Sequence, residues 1–114
     1  CTTHLGHTAH QAIGGGVALQ VVFAAALALG RHLALTTCSE CHGWDLNGWE
    51  GDPAPSLVVA KAYTLDQFTR LMRTGEVAAG GKSKTGMMSG VAAYRYKVLT
   101  DEEIGALKAF LDAR

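Results

Sequence analysis

The chain is poor in cysteine and proline and carries no excess of charge. Each shortage removes a class of protein. The 114 residues contain only Cys1, Cys38 and Cys41. Two of these lie three residues apart and the third is at the far end, so no internal disulfide framework follows. Ten basic residues balance ten acidic ones, which leaves no electrostatic footprint for nucleic acid. The histidines besides His42 are His4, His7, His10 and His32. None of them lies downstream of Cys38 and Cys41 in a second ligand pair, so a structural zinc site lacks half its ligands. There is no internal repeat, no activated nucleophile and no pair of carboxylates placed by a motif, so no independent enzyme activity is expected. The length allows one domain, or a small domain with an appendage, and a domain of this size is short of core.

Residues 38–42 read Cys-Ser-Glu-Cys-His. The C-x-x-C-H spacing suits covalent attachment of haem. Two thiols on one turn, Cys38 and Cys41, can each form a thioether to a haem vinyl group. The adjacent imidazole of His42 then lies under the iron as an axial ligand. Two other readings share the C-x-x-C pattern, a redox dithiol and half a zinc site. A redox dithiol of the thioredoxin type follows a strand within a βαβ unit, whereas the residues before Cys38 are Ala/Leu-rich and helical. Haem is normally attached to this motif outside the cytoplasm. The motif therefore implies export, to the periplasmic or extracellular side. A haem also supplies a large apolar surface on which a small domain can pack.

Before the motif lie two distinct stretches. Residues 2–11 are polar, with His4, His7 and His10 three apart. Successive steps of three wander around a helix, so a solvated tail is the simpler reading than a metal site or a haem ligand for a neighbouring chain. Cys1 admits two readings, a lipid-modified N-terminal cysteine or a processing boundary. Residues 12–30 hold one strongly polar side chain, Gln20. As a helix they span about 28 Å, just enough for the hydrocarbon core of a bilayer. Their small residues also suit close helix–helix packing. The first basic residue, Arg31, follows the stretch, which is the wrong side for a tether whose haem domain lies outside. A membrane anchor, a leader's apolar region, a self-assembly helix and an extension of the domain's first helix all fit. The expected organisation is a tail and apolar helix over residues 1–29 and a haem domain over residues 30–114.

After the motif, residues 43–56 are dense in Gly, Asp, Asn and Pro and read as a loop. It holds both tryptophans, Trp44 and Trp49, which are candidates to pack on the haem rim and to bond a propionate through an indole N–H, or simply to cover a small core. Thr64 with Gln67 predicts a capping box, Leu65, Phe68, Leu71 and Met72 a core stripe, and Gly75 the helix end. Residues 76–99 read as one long loop bearing Met87 and Met88, able to wrap the far side of a haem and present a thioether. Thr100 with Glu103 predicts a second capping box, and Ile104, Leu107, Phe110 and Leu111 the apolar face of the last helix. Charge is uneven along the chain. Glu40, Asp45, Glu50 and Asp52 surround the motif. Between residues 61 and 97, Lys61, Arg70, Arg73, Lys82, Lys84, Arg95 and Lys97 outnumber Asp66 and Glu76. Such a basic face would steer docking to an acidic partner, unless it is merely a solvated surface.

Taken in order, these pieces resemble the class I c-type cytochromes from about residue 30 to the end. GMMSGVAAYRYKVLTDEE and LTDEEIGALKAFL are similar to segments of the cytochrome c subunits of bacterial membrane-associated dehydrogenases. The resemblance implies an all-α fold wrapped on one covalently bound haem c. It also implies one-electron transfer between a redox protein donor and an acceptor, within a dehydrogenase or respiratory complex. The first and last helices should cross near Gly30 and Phe110. The resemblance further implies a methionine as sixth ligand, Met88 before Met87, with Met72 in the core. A proline carbonyl, Pro55 before Pro53, should face the other nitrogen of the axial histidine. The competing picture is a haem-containing polymer packed through the N-terminal helices. A third is a haem protein with an open iron site.

Overall fold

The computed structural model describes the backbone of residues 11–114 and the side chains from residue 18 onward. Among these residues the regular structure is helical throughout, with no strand. Helix α1 (Gln11–Leu33) has no proline to stop it. It runs straight into a π-helical turn (Ala34–Cys38) and then α2 (Ser39–His42). The widened turn is lined by hydroxyls that bond back to the preceding carbonyls. Thr36 Oγ1 donates to His32 O (2.7 Å), Thr37 Oγ1 to Leu33 O (2.6 Å) and Ser39 Oγ to Leu35 O (2.7 Å). Such back-bonding competes with the regular ladder and bends helices, and π-turns of this kind cluster at functional sites.

Gly43, at φ 92°, ends α2. The loop after it is held by backbone bonds from Gly48 N to His42 O (2.6 Å) and from Leu57 N to Leu46 O (2.7 Å). Leu46 takes φ 64°, a left-handed conformation that costs a non-glycine residue roughly 1–2 kcal/mol. Its side chain is only 1% exposed, and burying a leucine contributes about 1.5–3 kcal/mol, enough to hold the turn. A 3₁₀ turn (Leu57–Ala62) leads to α3 (Leu65–Thr74).

Both predicted capping boxes are present. Thr64 and Gln67 close the start of α3, and Thr100 and Glu103 the start of α5 (Asp101–Ala113). Gly75 ends α3 in the left-handed region. Residues 76–99 are not one loop, as their glycines suggested. They contain α4 (Met87–Arg95) and a 3₁₀ turn (Tyr96–Val98). The helix forms because Met88, Val91, Ala92 and Tyr96 recur on one face and pack into the core, and that burial overrides the poor helix propensity of Gly90. The α3 stripe needs one correction as well. Phe68, Leu71 and Met72 are buried, but Leu65, in the first turn, is half exposed.

α5 lies across α1 at Gly30. A Cβ built on Gly30 would overlap the Ala106 carbonyl and stand 2.8 Å from Phe110 Cβ. The crossing expected at Gly30 and Phe110 is thus found, and glycine is what lets the two backbones touch. Ile104, Leu107 and Leu111 on α5 meet Ala34, Leu46, Leu57, Ala60, Phe68, Leu71, Met72, Ala92 and Tyr96 in a single core. Arg73 ties α3 to the turn before α5. It donates from Nη1 to the Lys97 (2.7 Å) and Leu99 carbonyls and from Nη2 to Asp101 Oδ1 (2.7 Å).

Candidate haem site

The site is built on the continuous helix. Cys38 ends the π-turn and is partly buried. Cys41 is exposed and His42 buried, one turn further on. Both thiols are free. Burial pushes the Cys38 thiol up; the Thr37 hydroxyl beside it, 3.6 Å away, acts against that shift, and Cys41 adds to it.

His42 is oriented from outside its own helix. Its Nδ1 lies 2.8 Å from the Pro55 carbonyl, thirteen residues on. A carbonyl oxygen only accepts, so the contact places a proton on Nδ1 and leaves Nε2 as the nitrogen available to a metal. A metal-ligating imidazole is commonly fixed in this way, by a hydrogen bond at the nitrogen far from the metal. Pro53 makes no such contact. Its neighbourhood is a turn closed by Ala54 N donating to Asp52 Oδ1 at 3.1 Å.

The tryptophans form a pair, rings edge to face at 5.8 Å and 83°. Trp49 Nε1 donates to the Glu40 carbonyl within the motif (3.0 Å), so its N–H is already engaged. Trp44 is 79% exposed. The pair therefore brackets the outer face of the motif and does not fill the core.

The three methionines separate by environment. Met72 is buried at 3% and belongs to the core. Met87 is 63% exposed. Met88 is partly buried against the core. Met87 and Met88 occupy the first turn of α4, directly after Gly86 at φ 81°. Among the described residues no cluster of three or more His, Cys, Asp and Glu side chains could hold a metal ion, so nothing there supports the zinc reading. Cys1, His4, His7 and His10 lie outside the described residues.

Sequence reasoning missed Tyr96. It is 8% exposed and donates from its hydroxyl to the Thr37 carbonyl at 2.8 Å. Burial, with a smaller contribution from Cys38, pushes its phenol up to about 12, so it stays a donor across the physiological range. No local pattern in AAYRYKVL announces a partner 59 residues away. Asp45, by contrast, is held below the usual carboxylate range, chiefly by the backbone N–H of Asn47.

An all-helical domain that feeds a C-x-x-C-H turn into its core defines a haem-attachment protein. The family model for cytochrome c matches residues 27–113, and the chain belongs to that family. No curated protein and no solved structure matches it. Membership brings a covalently bound haem c and electron transfer as the activity, typically as a carrier. The residues present fit such a group: two free thiols at the right spacing, and beside them a buried imidazole with its outer nitrogen already committed to Pro55.

Proposed function

We propose that the chain is a mono-haem electron-transfer protein in which Cys38 and Cys41 bond the haem, His42 is the proximal ligand and Met88 the distal one. Cys38 and Cys41 would hold the group as thioethers, each exchanging its S–H bond and a vinyl π bond for one C–S and one C–H bond. The haem iron supplies the one-electron ferrous–ferric couple. His42 presents Nε2 because Pro55 holds Nδ1–H, and this contact is the observation that carries the reading. Met88 is preferred to Met87 because it is packed against the core while Met87 faces solvent. With His42 and Met88 both holding the iron, no position on it would be left for substrate. Histidine–methionine ligation in an apolar surround favours a relatively high potential.

The spectrum tests this. The oxidised protein should show the weak near-infrared sulfur-to-iron band, and the reduced protein should not bind carbon monoxide rapidly. Met88→Ala should abolish the band and Met87→Ala should leave it. Rapid carbon monoxide binding to the native reduced protein, or a band that survives Met88→Ala, would overturn the assignment.

The donor and acceptor in this proposal are redox proteins of an exported dehydrogenase or respiratory complex. Lys82, Lys84 and Lys97 are exposed and belong to the basic stretch that would steer an acidic partner. The N-terminal helix is the place where the chain is held. Leu19, Val21, Val22 and Phe23 are all exposed, and residues Ala18–His42 are long and apolar enough, by length and composition, to cross a membrane. The part beyond Gly30 packs on α5, so an anchor would use the turns before it. A helix apolar on every side needs either lipid or protein around it. The second reading, a haem-bearing oligomer packed through these helices, rests on the same exposed side chains. Electron microscopy of detergent-free full-length protein separates the two: filaments or rings favour assembly, and material monomeric only in detergent favours the anchor.

A further inference from the structure

α4 is pinned at two places that do different things. Near its start, Gly75 lets the Ser89 backbone come into contact, where any Cβ would overlap the Ser89 carbonyl. Ser83 N donates to Ser89 Oγ (2.7 Å) and Ser89 N to Ser83 Oγ (3.3 Å). These contacts set Met88 relative to α3 and the preceding loop. They do not reach the Cys38–His42 turn. Just past the other end, Tyr96 donates to the Thr37 carbonyl, the peptide that joins Thr37 to Cys38. Among the described residues this is the one hydrogen bond between the Met88-bearing segment and the turn that leads into the haem motif.

We propose that Tyr96 is a positioning residue for electron transfer: its bond to the Thr37 carbonyl holds the Met88 helix in register with the haem-bearing turn and so sets how readily the Met88 sulfur leaves the iron. The proposal rests on the Met88 ligation put forward above. α3 and α4 stay joined through Gly75 and Ser89, so freeing the far end of α4 lets the two shift together relative to Cys38 and carry Met88 with them. The buried phenol is a good pin because it remains protonated and its ring, packed in the core, cannot swing away.

The test is the rate at which carbon monoxide binds the reduced holoprotein, since it must wait for the sulfur to leave. Tyr96→Phe keeps the ring and deletes only the donor. It should bind carbon monoxide roughly two- to tenfold faster than wild type, the range that one neutral hydrogen bond supplies, while the oxidised protein keeps its near-infrared band. Thr64→Ala, which removes the α3 cap, is the control for general loosening and should leave the rate unchanged. A Tyr96→Phe rate equal to wild type overturns the proposal. So does an equal acceleration in Thr64→Ala, which would reduce Tyr96 to ordinary packing. Failure of the underlying ligation is distinguishable, because wild type itself would then lack the band and bind carbon monoxide rapidly, and both readings would fall together.

Discussion

Adding one methyl group should have opposite effects at Gly30 and Gly105, although both glycines lie inside helices. In a helix interior, Gly→Ala alone is worth about 0.8–1 kcal/mol in favour of alanine. At Gly105 a Cβ meets nothing within 4 Å, so Gly105→Ala should stabilise by about that amount. At Gly30 the new Cβ overlaps the Ala106 carbonyl and stands 2.8 Å from Phe110 Cβ, against ordinary contact beginning at 3.4 Å. The nearest obstacle is backbone, so no rotamer change relieves it, and α1 and α5 must part by more than half an ångström. Overpacking of this kind costs typically 1–3 kcal/mol and sometimes more. Because the clash is with main chain, the upper end applies, and the net loss after the propensity gain is about 2 kcal/mol. For a chain of this size that is a fall in Tm of roughly 6–10 °C. The assay is thermal and urea unfolding of the oxidised holoprotein, followed by helical circular dichroism. A Gly30→Ala protein as stable as wild type would refute the claim that α1 and α5 touch through backbone at this crossing. A Gly105→Ala protein destabilised to the same degree would show that the two sites do not differ as described.

Thr64→Ala and Thr100→Ala should each lower stability by about 1 kcal/mol, the usual loss for a side-chain N-cap, and their losses should add to within experimental error in urea melts, the two caps sharing no hydrogen bond. Arg73→Met should destabilise more than either, because it removes three hydrogen bonds at once and leaves the part-buried Leu99 carbonyl without its donor; a milder loss in urea melts would show that the clamp adds little. The folded-state pKa of Asp45 is depressed, so its contribution to stability is present above the ordinary carboxylate pKa and is lost as pH falls through the lower, folded value. Asp45→Asn should therefore lower stability slightly at neutral pH and leave it nearly unchanged in acid, so that the stability–pH curve flattens through the carboxylate range. A truncated chain of residues 27–114 should remain a soluble monomer by sedimentation; persistent association would place the assembling surface in the haem domain.

What could be read in the sequence depended on the range of the interaction. The caps at Thr64 and Thr100 and the stop at Gly75 involve residues within four positions of one another, and all three were legible. The α4 helix was not. MSGVAAYR carries a serine, a glycine, a valine and a tyrosine where a helix wants better formers, and the core against Met88, Ala92 and Tyr96 makes it worth forming. Leu65 failed in the opposite sense, since its spacing matches the stripe but it sits in the first helical turn, half open to solvent. The tryptophans were legible as exceptional residues but not in their contacts, because the Trp49 N–H closes on Glu40 nine positions back.

By itself the sequence put two thiols and an imidazole, Cys38, Cys41 and His42, at the C-x-x-C-H spacing that covalent haem attachment requires, since that pattern is contained in five consecutive residues. It also determined where α3 and α5 start and where α3 stops, because those caps are local. Tertiary structure decided the rest. It chose Pro55 over Pro53 as the partner of His42, through a loop whose path depends on Leu46 burying itself in a strained conformation. It made Gly30 indispensable, through a helix that arrives more than seventy residues later. It joined Tyr96 to Thr37, and so the Met88 helix to the haem motif. These contacts exist because one small core must be closed by elements from both ends of the chain, and no window of sequence contains both partners.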